Sequence, residues 1–117
     1  MASFAFVLPI LPGQEENIRR VSEAIGGSGP LREKYEASRR PLGINEEKVW
    51  VPRTHIGQAL VVYWETDDPQ RALREMADSQ DEVDNMLKQF IETTAPALDL
   101  TKEQPLSNEL ILDWPAR

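Results

Sequence analysis

The chain has 117 residues, 40% of them hydrophobic, and a formal net charge of −7, which suits one folded domain spanning 1–117. The acidic balance argues against nucleic acid or an anionic membrane surface as a partner, because both are met with clustered Lys and Arg. The absence of Cys excludes disulfides, thiolate nucleophiles and Cys-ligated metal, and it fits a reducing, cytoplasmic setting.

Residues 3–10 form the first predicted strand, with Phe4, Phe6 and Leu8 on one face and Ala5, Val7 and Pro9 on the other. This apolar run is too short to span a bilayer, has no basic lead and is interrupted by Pro9, so it reads as a strand of the mature protein. After the Pro12-Gly13 turn, residues 14–25 carry Ile18, Val21, Ser22 and Ile25 at helical spacing, with Glu15 and Glu16 in the first turn. Gly26-Gly27-Ser28-Gly29-Pro30 stops that helix. It is no phosphate loop, because no Lys-Ser/Thr pair follows. A second, shorter helix is predicted over 31–40, with Ser28 as its cap and Pro30 in its first turn.

The second strand is predicted at 47–53 and is joined to the third through the short connection 54–57 as an antiparallel hairpin. The third strand, centred on 60–64, has Leu60, Val62 and Trp64 on one side and Val61 and Tyr63 on the other, so both of its faces need cover. Asp68 then caps a helix that opens on Pro69 and ends near Asp78. Ser79 and Glu82 form a capping box for the next, whose stripe of Val83, Met86, Leu87, Phe90 and Ile91 is the clearest helical pattern in the chain. Pro96 stops it. Residues 97–108 read as a loop, and 109–114 as the last strand, with Leu110 and Leu112 facing one way and Ile111 the other.

The order is strand, helix, strand, strand, helix, strand, with one extra short helix in each half. It predicts an α+β fold of the ferredoxin-like βαββαβ plan, a four-stranded antiparallel sheet with its helices on one face. The other face would remain apolar, which predicts a homodimer in which two such sheets pack face to face as a barrel.

Phe4-Ala5-Phe6-Val7-Leu8 followed by Pro12-Gly13-Gln14-Glu15-Glu16 resembles the opening strand and turn of the dimeric α+β barrel superfamily. The runs Arg39-Arg40-Pro41-Leu42-Gly43-Ile44, Val49-Trp50 and Leu60-Val61-Val62-Tyr63-Trp64-Glu65 resemble uncharacterised small proteins assigned to it. The resemblance implies the fold and the dimer. Its members include cofactor-independent monooxygenases, haem enzymes, isomerases and ligand-binding regulators, so it does not imply one chemistry.

Trp50, Tyr63 and Trp64 are candidates for the aromatic wall of a cavity that takes a flat organic ligand, although large strand aromatics commonly serve as core. Arg53 near a strand end could steer an anion, and Tyr35, Arg39 and Arg40 could sit at the cavity mouth and hold a carboxylate. The ordinary alternative for these arginines is a solvated hairpin end or helix end. Glu65 and His55 are the candidates for moving protons, with His55 placed in a turn that favours exposure. The pairs Glu15/Glu16, Glu46/Glu47 and Asp67/Asp68 and the cluster Asp81/Glu82/Asp84 read as helix-start or solvated charge. A single His and no Cys predict no metal site, and no His on a cavity-lining element predicts no haem or other cofactor. The expected function is a small dimeric barrel that binds a small hydrophobic molecule in the sheet cavity. A monooxygenase-like or isomerase-like enzyme and a purely structural dimer are the alternatives.

Overall fold

The computed structural model describes residues 2–55, 57–96, 98 and 108–115. Its elements are β1 (Ala2–Pro9), α1 (Glu15–Gly26), α2 (Pro30–Arg39), β2 (Ile44–Trp50), β3 (Arg53–Thr54), β4 (Gly57–Thr66), α3 (Pro69–Asp78) and α4 (Glu82–Thr94). The fold is α+β. One antiparallel sheet runs in the order β1-β4-β2, and the two-residue β3 pairs with the start of β4.

β4 lies between β1 and β2, and strict alternation decides which of its side chains the helices cover. Phe4 stands opposite Trp64, Phe6 opposite Val62 and Leu8 opposite Leu60, all on the inner face. Phe6 meets the Trp64 ring edge-on at 5.1 Å. Against this face pack Ile18 of α1, Leu73 and Met76 of α3, and Leu87, Phe90 and Ile91 of α4. The outer face carries Ala5, Val7, Trp50, Val61, Tyr63 and Glu65. No described helix covers it, and Val7 and Trp50 are exposed.

Two irregularities shape β2. A bulge between Ile44 and Glu46 inserts Asn45, so that Ile44 pairs with Thr66 and Glu46 with Glu65. The extra residue changes the alternation and turns both Ile44 and Glu47 inward. Gly43 makes the approach to this strand possible, since it sits at φ +75 and a Cβ there would lie 3.2 Å from the Arg71 guanidinium. The strand predicted over 47–53 is also broken. It ends at Trp50 because Pro52 has no N–H for a ladder, and pairing resumes only at Arg53 and Thr54.

Helix ends follow local chemistry, with two departures from expectation. Asp68 caps α3 through the Arg71 N–H at 3.0 Å, as its place before Pro69 predicts. α2 begins after Gly29 without a side-chain cap, so Ser28 does not take that role. α4 is capped by Asp81, whose Oδ1 accepts from the Val83 and Asp84 N–H groups at 2.8 and 3.2 Å. Ser79 sits two residues outside and accepts from the Asp81 N–H at 3.0 Å. A carboxylate at the positive end of the helix outcompetes the more distant hydroxyl.

The predicted last strand over 109–114 is not a strand. Leu110, Ile111, Leu112 and Trp114 are all exposed, with Ile111 at 87%. Alternation predicts a strand only when some surface receives one of its faces, and none of the described elements covers these side chains. The segment is anchored at Asn108 instead, whose side-chain amide bonds the Ala5 N–H and C=O on the side of β1 away from β4. The loop expected at 97–108 lies, except for Leu98 and Asn108, outside the described residues. No described helix is long and apolar enough to cross a membrane.

Candidate functional site

Tyr35 and Arg39 are four residues apart on α2 and so share one face. That face looks onto the part of the sheet where the β2 bulge has turned Glu47 inward, directly beside Trp64. Glu47 is therefore the focus of the cluster. Its carboxylate accepts from the Tyr35 hydroxyl and from the Trp64 indole N–H. Arg39 lies with its Nε 3.7 Å from Glu47 and an Nη 3.9 Å from Asp84 of α4, and its other Nη is 3.9 Å from the Met76 sulfur. Its guanidinium also stands 5.0 Å from the centre of the Tyr35 ring, within cation–π range.

This cluster is buried. Arg39 is 6% exposed, Asp84 2% and Trp64 2%. The Arg39 Nε and the Asp84 Oδ1 make no hydrogen bond. Charges so placed cost several kcal/mol each to desolvate, in order-of-magnitude terms, and persist only by facing one another. Burial is also the main cause that raises the Tyr35 phenol well above its ordinary range, followed by the negative charge of Glu47 and the hydrogen bond donated to it. Tyr35 is thus held as a neutral donor.

The cluster forms one corner of a cavity of about 360 Å³ between the sheet and the helices. The other walls are apolar and include Leu8, Ile18, Leu60, Leu73, Leu87 and Phe90. Arg32 sits at the same corner, bonded to Glu36 at 2.8 Å and to the Ile25 carbonyl at 3.4 Å, with its guanidinium 5.8 Å from the centre of the Tyr35 ring. A second cavity of about 360 Å³, lined largely by charged side chains of α2 and β2, shares Arg32, Tyr35, Arg39 and Glu47 with the first. These four side chains are the partition between an apolar and a polar chamber. Such a partition can hold one end of an amphipathic molecule while the apolar chamber holds the rest.

Of the residues singled out in the sequence, Tyr35, Arg39 and Trp64 meet in this cluster. Arg39 already faces two of the chain's own carboxylates. Trp50 lies on the outer face and is 51% exposed. Tyr63 and Glu65 are also on the outer face, where the Tyr63 hydroxyl donates to Glu65 at 3.0 Å and lies 3.0 Å from the Ser3 hydroxyl. Arg53 and His55 are exposed at the hairpin end, away from the cavity. Two carboxylates expected to be solvated or helix-start charge are core members of the cluster, Glu47 and Asp84. For Asp84 a signal existed, since Leu87 and Ile91 follow it at i+3 and i+7 on the buried stripe of α4. For Glu47 the signal was its place two and four residues before Val49 and Val51, on the same face of the predicted strand. Among the described residues no group of His, Asp and Glu has the arrangement of a metal site. Comparison with protein-family models, with curated proteins and with solved structures finds no match to this chain.

Proposed function

We propose that this protein binds a small, mainly apolar molecule in the cavity between its helices and its sheet, and that it does so as a homodimer joined through the outer sheet face, on the plan of a dimeric α+β barrel. The observation that carries the binding reading is the cavity itself. It has about 360 Å³ of space, apolar walls and a single polar corner at Tyr35, Arg39 and Glu47. Ligand sites are commonly built this way, with apolar area for affinity and a few fixed polar groups for orientation. The reading is of binding and not of turnover, because Glu47 is already engaged by Tyr35, Trp64 and Arg39. The dimer is supported by the outer face, where Val7 and Trp50 are exposed beside half-buried Val61 and Tyr63 on a surface that no described helix covers. The strand order β1-β4-β2 supports the ferredoxin-like plan.

Native mass spectrometry of gently purified protein, set against its denatured mass, tests both parts. The expected result is a dimer carrying a co-purified small molecule. Ile25→Trp, which fills the cavity wall, is expected to remove the extra mass and keep the dimer. Trp50→Glu is expected to give a monomer. A wild-type monomer at micromolar concentration rejects the barrel. Extra mass that survives Ile25→Trp rejects this cavity as the site.

A further inference from the structure

The charges buried at the polar corner of the cavity do not balance. Arg39 supplies one positive charge, and Glu47 and Asp84 supply one negative charge each. Tyr35 is held neutral by its burial. Arg32, the other cation at the cavity, is paired with Glu36. The formal sum of the Arg39, Glu47 and Asp84 cluster is therefore −1, in a region where the low dielectric leaves charges poorly screened. The guanidinium is also shared in a particular way. It stands 3.7 Å from one carboxylate and 3.9 Å from the other, and neither Arg39 Nε nor Asp84 Oδ1 has a hydrogen bond. One cation is divided between two anions and saturates neither. Of the two carboxylates, Glu47 lines the cavity, while Asp84 lies behind Arg39 and outside the lining. Tyr35 and Trp64 meet Glu47 through their hydroxyl and indole N–H, one on each carboxylate oxygen.

We infer that the ligand is an apolar primary amine, bound as its ammonium ion at Glu47 with its hydrocarbon body between Leu60, Leu73 and Phe90. This inference rests on the binding function proposed above and adds the chemical class. An ammonium ion restores neutrality at the corner and brings three donors to a carboxylate that has lone pairs to spare. An alcohol can donate to Glu47 but leaves the excess charge in place. A carboxylate adds a second uncompensated negative charge and is rejected by Glu47 and Asp84 together.

The test is a titration at neutral pH with 2-phenylethylamine, 2-phenylethanol and 3-phenylpropionate, three probes of similar body and different end group. Binding is read from the indole N–H resonance of Trp64, assigned by its loss in Trp64→Phe. The amine is expected to bind about tenfold tighter than the alcohol, and the carboxylate most weakly, from one excess charge at short range in a partly shielded site. In Asp84→Asn the amine's advantage over the alcohol is expected to fall to about onefold with the alcohol's affinity unchanged, since the charge is lost without altering the cavity wall. Glu47→Gln is expected to remove the same advantage and serves if Asp84→Asn does not fold. Tighter binding of the alcohol or the carboxylate, or an amine advantage that survives the charge-removing variants, overturns the amine and leaves the cavity reading standing. No shift of the Trp64 resonance with any of the three overturns both.

Discussion

Glu46 and Glu47 are adjacent in the chain and live in different solvents. Glu46 is on the outer face of the sheet, where Lys48 reaches it at 3.0 Å with both side chains partly open to water. Glu47 is on the inner face, enclosed with Arg39 and Asp84 and held by Tyr35 and Trp64. The exposed pair has the shorter distance and the lesser consequence. Water already solvates both partners, salt screens them, and ordering two long side chains offsets most of the attraction. In the buried cluster neither partner can return to water without unfolding, so removing one strands the others. Distance alone ranks these ion pairs in the wrong order.

The largest test of that contrast is Arg39→Leu. It leaves two buried carboxylates uncompensated and is expected to lower the stability to denaturant by about 3–5 kcal/mol. Adding Glu47→Leu and Asp84→Leu to the same chain is expected to recover much of the loss, because an apolar corner needs no partner. If the single variant unfolds at the wild-type midpoint, the cluster is not buried in solution. Next comes Trp64→Phe, which removes the indole donor to Glu47 and is expected to cost about 1–3 kcal/mol. Tyr35→Phe removes the other donor and is expected to cost about 1 kcal/mol, with a pH signature of its own. The phenol is raised in the folded chain, so its contribution is complete below the ordinary tyrosine range near pH 10 and is lost as pH climbs above it. Wild-type stability should fall more steeply than that of Tyr35→Phe above pH 10, by at most about 1.4 kcal/mol per unit and by less where water reaches the ring. Equal slopes would mean that Tyr35 is not shielded. The smallest effect belongs to Lys48→Ala on the outer face, which is expected to leave the unfolding midpoint unchanged.

Much of this contrast can be read from the sequence, and its omissions have definite causes. β1, β4, α1, α3 and α4 follow from period-two or helical spacing of apolar residues, since those patterns report burial directly. Tyr35 and Arg39 are visible as an i, i+4 pair, and Trp64 is visible in the central strand. Glu47 shares the period-two face of Val49 and Val51, but a carboxylate at a strand start also reads as solvated charge, and that Ile44 joins the same face depends on the inserted Asn45. Residues 109–114 mislead for the opposite reason. Their alternation is genuine, but pairing and cover come from the rest of the molecule, and alternation does not report either. A period of two places Tyr63 and Trp64 on opposite faces, as the sequence predicts, and the structure shows which is which: Trp64 lies under the helices, and Tyr63 and Trp50 lie on the outer face.

Asn108 has a consequence beyond anchoring its own segment. Among the described residues β1 ends the strand order, so one side of it could serve as a template for the backbone of another molecule. At Ala5, midway along the strand, the Asn108 amide occupies both the N–H and the C=O that an incoming chain would need. A side chain that copies one peptide group interrupts the template there, and it can do so without the register that a full strand would require.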